Sequence, residues 1–333
     1  MKKIKYLLAA LVMAGLTAAC DTDVENKVIQ NPKTYSEQYY KNLRDYKKSD
    51  HEISFMWFAQ WSAQNSMAVR FNGLPDSLDI VSIWGGGIPP KENTQLWEDL
   101  RFTQKTKGTK MLYVAITRLG AEDDSHDFKQ VLNEGLAMPE DEEREAKINK
   151  AIEMYALYYV DQVFENDLDG FDADYEPEGD MLDGEYFVHF MKTLGLYMGP
   201  NPDQTKEERL ALIRARYGEE HNDTEKLLCV DGSSNTGVEP YVNYYLIQNY
   251  GGGTPYERNG WPSEKCVWCV NWGDNWNTSG DQLYTQARWE PSTGRKGGFG
   301  AFYGQRDYFI HKYNPEPWYR FRQCIQIQNP AIK

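Results

Sequence analysis

Three carboxylates spaced two residues apart are the part of this chain best suited to chemistry. They are Asp172, Asp174 and Glu176, in the segment D-G-F-D-A-D-Y-E at 169–176. Side chains alternate between the faces of an extended strand, so this spacing puts the three acids on one face, about 6.5–7 Å apart. Like charges this close resist simultaneous ionisation. At least one carboxyl is therefore expected to have a raised pKa and to act as an acid near neutral pH, as in glycosidases.

Two other interpretations of this segment are a solvated acidic strand and a calcium-binding loop. A calcium loop would spread oxygen ligands along a turn, with a glycine midway and a distal Glu. Here Phe171, Ala173 and Tyr175 alternate with the acids. This alternation favours a strand.

The segment matches the pattern D-x-x-D-x-D-x-E and so resembles glycoside hydrolase family 18, the family of chitinases and endo-β-N-acetylglucosaminidases. The resemblance implies that Glu176 is the general acid and base. It implies that Asp174 orients and polarises the 2-acetamido group of the substrate, and that Asp172 supports Asp174. In this family the acetamido oxygen replaces an enzyme nucleophile. No metal or organic cofactor is implied.

Short apolar runs that alternate with helical or polar stretches predict β/α units. Helices are expected at 140–164, 206–217 and 317–327. Eight strands are predicted, at 53–59, 79–84, 110–117, 170–175, 227–231, 245–250, 266–271 and 298–303. They indicate a (β/α)8 TIM barrel in one domain, residues 36–333. Such barrels carry their chemistry at the carboxyl ends of the strands, and Glu176 falls just past the fourth.

The end of the sixth predicted strand carries a second pair of candidate residues. Gln248 and Tyr250 resemble the Q-x-Y pair of endo-acting family members, in which the Tyr hydroxyl and Gln amide help to hold the acetamido group. Core packing is the alternative for both. After the seventh strand, Asn271 and Trp272 begin a polar and aromatic cluster suited to sugars.

Several aromatic residues at other strand ends are further candidates for the site. Tyr303, or else Trp318, could take the place of the deep-pocket Trp common in chitinases. Trp57 and Trp84 could line the site or belong to the core. The segment S-I-W-G-G-G that begins at Ser82 is similar to one that chitinases carry on the third strand, but here it lies on the second. No role is transferred to it.

The N-terminus reads as an export signal. Residues 1–5 are M-K-K-I-K, an apolar run follows to Leu16, and small residues precede Cys20. The segment resembles a bacterial lipoprotein signal, which implies cleavage before Cys20 and lipidation of its thiol. Residues 21–35 are predicted to be a tether, and their acidic start resembles a surface-export tag. These features predict a lipoprotein of the outer membrane or cell surface of a Gram-negative bacterium. A soluble secreted protein with an incidental Cys is the alternative.

Charge and cysteine content exclude some classes of function. The net charge of −14 argues against a nucleic-acid partner. Cys229, Cys266, Cys269 and Cys324 could pair in an exported protein. Cys266 and Cys269 lie in an apolar run in which an i, i+3 pair points to opposite faces, which favours buried free thiols over a zinc or redox site.

Together these features predict an endo-β-N-acetylglucosaminidase that acts, as a monomer, on the GlcNAc-β-1,4-GlcNAc bond of N-glycan cores. A non-catalytic glycan-binding lipoprotein on the same barrel and a chitinase are the alternatives.

Overall fold

Eight parallel strands close into a barrel in which each strand pairs with its neighbours in the chain and β1 pairs with β8. The computed structural model describes residues 33–63 and 66–330. The strands are β1 Ile53–Phe58, β2 Ile80–Ile83, β3 Lys110–Ile116, β4 Gly170–Tyr175, β5 Leu227–Gly232, β6 Tyr244–Gln248, β7 Cys266–Asn271 and β8 Gly298–Phe302.

Helices surround this barrel and follow most of its strands. They are α1 Glu37–Lys48, α2 Thr94–Arg101, α3 Asp127–Leu136, α4 Glu142–Glu165, α5 Gly184–Leu194, α6 Lys206–Tyr217, α7 Trp272–Asn275, α8 Asp281–Arg288 and α9 Tyr319–Gln328. The two helices predicted most clearly begin at strong N-caps. Asp141 accepts from the backbone N–H of Arg144 ahead of α4, and Thr205 forms a capping box with Glu208 ahead of α6.

Strand alternation divides the apolar residues into two sets. Phe55, Trp57, Leu112, Val114 and their neighbours fill the barrel interior. The alternate residues face outward and pack, together with the apolar faces of the helices, into a larger outer core. Side chains pointing inward near the carboxyl ends of the strands therefore share one small space.

Gly300 shows how tightly this interior is filled. A Cβ at this position would lie 2.7 Å from Cys269 Sγ and 3.0 Å from a ring carbon of Phe55. Real Cβ atoms do not approach other atoms this closely, so the glycine leaves the space that Phe55 occupies.

The predicted barrel is confirmed, and the predicted strands and helices differ from the structure only at their ends; six further α-helices among the described residues were not predicted. The fourth and seventh strands and the second predicted helix have the predicted bounds. The sixth strand is displaced by one residue at its start and ends at Gln248 rather than at Tyr250.

All four cysteines from Cys229 onward are buried and free, and Cys266 and Cys269 lie on opposite sides of the barrel wall, as predicted for these two. Cys20, the predicted signal and most of the tether lie outside the described residues. No helix in the described ranges is long and apolar enough to cross a membrane.

Candidate active site

Strand β4 directs two carboxyls into the barrel and carries a third at its end. Asp172 is fully buried, and Asp174 is 2% exposed. Glu176 follows the last strand residue, and its side chain is 35% exposed. The three acids thus descend from the barrel mouth into its interior, which follows from the two-residue spacing.

Side chains from β1 and β2 hold Asp172 across the barrel interior. Trp57 Nε1 donates to Asp172 Oδ2 over 3.0 Å, and Ser82 Oγ donates to the same oxygen over 2.7 Å. Asp172 Oδ1 is buried with no hydrogen-bond partner among the described residues. Burial raises the pKa of Asp172 to about 7, although both hydrogen bonds act to lower it. This carboxyl therefore holds a proton up to about neutral pH.

Asp174 lies between Asp172 and the mouth. Its pKa is raised to about 8, chiefly by burial and then by the charges of Glu176 and Asp172, while Arg118 acts to lower it. The predicted rise in carboxyl pKa is therefore found at the two deeper acids. The titration of Asp174 is therefore linked to that of Asp172, since a charge on Asp172 raises the pKa of Asp174.

A fourth carboxyl, Asp231, was not predicted from the sequence. It lies on β5 in register with Asp174, is 1% exposed, and accepts a hydrogen bond from Gln248 Nε2 over 3.0 Å. Burial, with the charges of Asp172 and Asp174, raises the pKa of Asp231 well above its ordinary value. The signal that could have found it is an Asp at the carboxyl end of a predicted barrel strand, as in V-D-G.

Asp174, Glu176 and Asp231 line a cavity of about 220 Å³ at the carboxyl ends of the strands. Besides the acids, four of the sequence candidates line it: Trp57, Trp84, Gln248 and Tyr250. Tyr250 stacks on Phe302 with ring centroids 5.7 Å apart. The lining consists of Trp57, Trp84, Ile116, Asp174, Glu176, Asp231, Gln248, Tyr250 and Phe302. Carboxyls on one side and aromatic faces on the other are the surfaces that a sugar ring requires.

The structure does not bring the candidates after β7 to this cavity. Asn271 is the N-cap of α7, and its side chain accepts from the Asp274 backbone N–H and donates to the Asp274 carboxylate. Trp272 is fully buried, with the guanidinium of Arg320 4.3 Å from its ring centroid. Neither Asn271 nor Trp272 is among the residues that line the cavity, and their contact with sugar stays a prediction.

At the end of β8 the residue that lines the cavity is the neighbour of the predicted one. Phe302, not Tyr303, lines the cavity. Tyr303 has a left-handed backbone, φ 55°, and its ring lies edge-on to Phe302 and next to the Arg306 guanidinium. Trp318 packs in the outer core, where its Nε1 donates to the Gly73 carbonyl.

Arg118, in the loop after β3, contacts Glu176. Its Nε donates to the Glu176 backbone carbonyl, and its Nη2 lies 3.6 Å from Glu176 Oε2 and 3.0 Å from Glu178 Oε2. The guanidinium therefore fixes the backbone of the outermost acid while leaving its carboxyl partly open to the cavity. Across the ranges that the structure describes, no group of three or more His, Cys, Asp or Glu side chains is arranged to hold a metal ion.

Comparison with known proteins agrees with this geometry. A family model described as glycoside hydrolase family 18, BT1044-like, matches residues 18–256. The chain belongs to glycoside hydrolase family 18. It is 29% identical over 336 residues to endo-β-N-acetylglucosaminidase F2 of Elizabethkingia meningoseptica, covering 89% of this chain and 88% of that protein.

Two solved structures share the fold. A selenomethionine structure of BT1044 aligns with a TM-score of 0.66 at 22% identity, covering 88% of this chain and 93% of the other. Apo endo-β-N-acetylglucosaminidase from Cordyceps militaris aligns with a TM-score of 0.60 at 21% identity, covering 90% and 98%. These likenesses establish the (β/α)8 barrel of the family for this member.

Proposed function

We propose that this member of the family is an endo-β-N-acetylglucosaminidase that hydrolyses the GlcNAc-β-1,4-GlcNAc bond of N-glycan cores. The observation that carries the proposal is the row of Asp172, Asp174 and Glu176, which rises from the buried interior into a cavity faced by Gln248 and Tyr250. Family membership supports the glycoside hydrolase class, and the likeness to endo-β-N-acetylglucosaminidase F2 supports the bond that is cleaved.

Catalysis begins with proton donation from Glu176 to the glycosidic oxygen, because Glu176 is the outermost and most exposed of the three acids. The acetamido oxygen of the substrate attacks the anomeric carbon as the bond to the protonated glycosidic oxygen breaks, so that the second N-acetylglucosamine leaves and a bicyclic oxazolinium intermediate forms. Glu176, now ionised, takes a proton from water as the water opens this ring. Two displacements at the anomeric carbon give net retention.

Asp174 supports the step in which the acetamido group is the nucleophile. Its raised pKa reflects a buried site in which a second carboxylate charge is costly. Asp174 lines the cavity and so lies within reach of the acetamido group. Trp57 and Ser82 anchor Asp172 and leave Asp174 free to turn toward the substrate. The Tyr250 hydroxyl and the Gln248 amide border the same cavity and complete the acetamido site.

A non-catalytic glycan-binding protein is the second candidate function, since a barrel of this kind can keep its groove without turnover. The intact Glu176 at the mouth of the cavity favours an enzyme. A chitinase is the third candidate. The likeness to endo-β-N-acetylglucosaminidase F2 favours N-glycans as substrate.

Digestion of two glycoproteins, one bearing high-mannose and one bearing complex N-glycans, tests the proposal. Mass spectrometry of the products is expected to show protein that retains a single N-acetylglucosamine at the glycosylation site and free glycan that ends in the other. A mobility shift without release would identify a binding protein. Cleavage of chitin oligomers with both glycoproteins intact would identify a chitinase.

We also propose that the chain is a lipoprotein held at the outer membrane through Cys20, with residues 21–35 as the tether. The basic start, the short apolar run and the small residues before Cys20 support this proposal.

A further inference from the structure

Gln248 lies between two buried carboxyls at the end of β6. Its Nε2 donates to Asp231 Oδ2 over 3.0 Å and lies 3.5 Å from Asp174 Oδ1. Both acceptors are almost completely buried, whereas Gln248 is half-buried and lines the cavity. The nitrogen side of the amide thus faces the carboxyls, and its carbonyl oxygen Oε1 is left as the polar group available to the cavity.

Asp231 occupies a position that is unfavourable for a carboxyl. It is buried beside Asp172 and Asp174, and the charges of both raise its pKa. Its Oδ1 is buried and has no hydrogen-bond partner in the part of the chain that the structure describes. An apolar side chain of similar size at a site like this is often neutral or stabilising. The contact with Gln248 is therefore the feature that an Asp adds here.

We propose that Asp231 is a positioning residue: it fixes the Gln248 amide so that Oε1 accepts a hydrogen bond from an N–H or O–H group of the N-acetylglucosamine residue in the cavity. This inference rests on the proposed function for the identity of the ligand. Gln248 Nε2 lies closer to Asp231 than to Asp174, so the positioning role is assigned to Asp231. Asp174 then remains available to contact the acetamido group.

The test measures binding of a thiazoline analogue of the bicyclic intermediate by titration calorimetry. This ligand is not hydrolysed, so the measurement does not depend on turnover. Asp231→Asn keeps a carbonyl oxygen that can accept from Gln248, and its Kd is expected to stay within about threefold of wild type. Asp231→Leu removes the acceptor, and its Kd is expected to rise about tenfold. Cys229→Ala, on the same strand and also facing the interior, is the matched control with unchanged Kd.

A double-mutant cycle with Gln248→Leu separates positioning from direct contact. If Asp231 acts through Gln248, adding Asp231→Leu to Gln248→Leu produces no further loss of affinity. Losses that multiply in the double variant would overturn the inference, because Asp231 would then act by itself. A Kd for Asp231→Leu equal to that of wild type, or a Kd for Asp231→Asn as weak as that for Asp231→Leu, would overturn it as well.

Stability and turnover are read separately from affinity. The melting temperature of Asp231→Leu is expected to equal or exceed that of wild type, because the change removes a buried carboxyl, one of whose oxygens has no partner. Should this variant fail to fold, Asp231→Ala enters the same cycle. Wild type that binds the thiazoline without releasing glycan would refute the proposed hydrolysis and leave this inference standing. Wild type that does not bind the thiazoline would refute the inference.

Discussion

Depth distinguishes the three acids of β4 from one another. Asp172 is fixed by Trp57 and Ser82 and is sealed from solvent, Asp174 borders the cavity, and Glu176 stands at its mouth. A group that transfers a proton to the leaving oxygen must reach the substrate. Position therefore distinguishes Glu176, which can reach the leaving oxygen, from Asp172 and Asp174, which lie deeper.

Replacing Glu176 by Gln tests the role of the outermost acid. The amide keeps the shape of the side chain but has no acidic proton, so hydrolysis is expected to fall by at least about 10²–10⁴-fold while glycan binding is retained. Glycan release and affinity are measured on the same preparation. Glu178→Gln is the matched control, because Glu178 also contacts Arg118 but does not line the cavity. Residual activity above a tenth of wild type would remove Glu176 from the proton-transfer role.

Replacing Asp174 by Asn separates substrate-assisted catalysis from catalysis by an enzyme nucleophile. If the acetamido oxygen attacks the anomeric carbon, Asp174→Asn should cripple turnover, and added azide should not restore it. An enzyme carboxylate acting as the nucleophile would leave a space that azide could fill, with a glycosyl azide as product. Mass spectrometry of the products with and without azide decides between the two. Appearance of the azide adduct would make Asp174 the nucleophile.

Much of the site at this scale could be predicted from spacing and resemblance, but not all of it. The two-residue period placed Asp172 and Asp174, because burial and strand alternation follow from the local sequence. Asp231 was missed because its role depends on register: only the pairing of β5 with β4 brings it beside Asp174. Ser82 contacts Asp172 across the barrel interior, from β2, which does not pair with β4, and its segment was assigned no role.

The elements explain where prediction from sequence failed. The carboxyl end of a strand can be located from the apolar pattern, but the direction of the chain beyond it cannot. After β7 the chain turns at once into α7 and buries Trp272, and after β8 a left-handed residue, Tyr303, redirects the loop. Such turns are set by contacts outside the strand, here those of Arg320 with Trp272 and of Arg306 with Tyr303.

Packing between strands gives a prediction about Gly300. The change Gly300→Ala places a Cβ against Cys269 and Phe55, and overpacking of this kind costs about 1–3 kcal/mol of unfolding free energy. Urea unfolding monitored by circular dichroism measures the loss. Gly253→Ala, in an exposed loop with no atom within 4 Å of the added Cβ, is the control. Equal stability of the two variants would contradict the tight packing of the interior.

At the scale of the whole molecule, the buried acids make stability depend on pH. The pKa of Asp172 is about 7 and that of Asp174 about 8 in the folded protein, against about 3.9 for an Asp in an unfolded chain. Between these values the folded state binds more protons than the unfolded state, so stability is lost as pH rises through this range.

Urea unfolding at pH 5 and pH 8.5 tests this dependence. The free energy of unfolding of wild type is expected to be lower at pH 8.5 than at pH 5. The decrease is expected to be smaller for Asp172→Asn. The Asn oxygen can still accept from Trp57 and Ser82, while its nitrogen takes the place of the unpartnered Oδ1. The same decrease in both proteins would show that Asp172 does not hold its proton in the folded state.

Anchoring is tested independently of the barrel. Cys20→Ala is expected to release the protein from the membrane fraction, because the thiol that would carry the lipid is lost. Specific activity should stay unchanged, since the described barrel begins at β1, about thirty residues further along the chain. Unchanged membrane association would refute the lipoprotein proposal.

The four cysteines from Cys229 onward give the chain an internal reporter of its own unfolding. All four are free and buried, and burial raises the pKa of the Cys266 thiol to about 12 and raises those of the other three well above their ordinary value. A thiol reacts as its thiolate, so these sulfurs are doubly shielded from an alkylating reagent while the barrel is closed. Their rate of alkylation therefore measures how often the barrel opens. Because these four cysteines form no disulfide, their refolding requires no oxidant and no disulfide exchange. A molecule in which one of these thiols has been oxidised must first have opened.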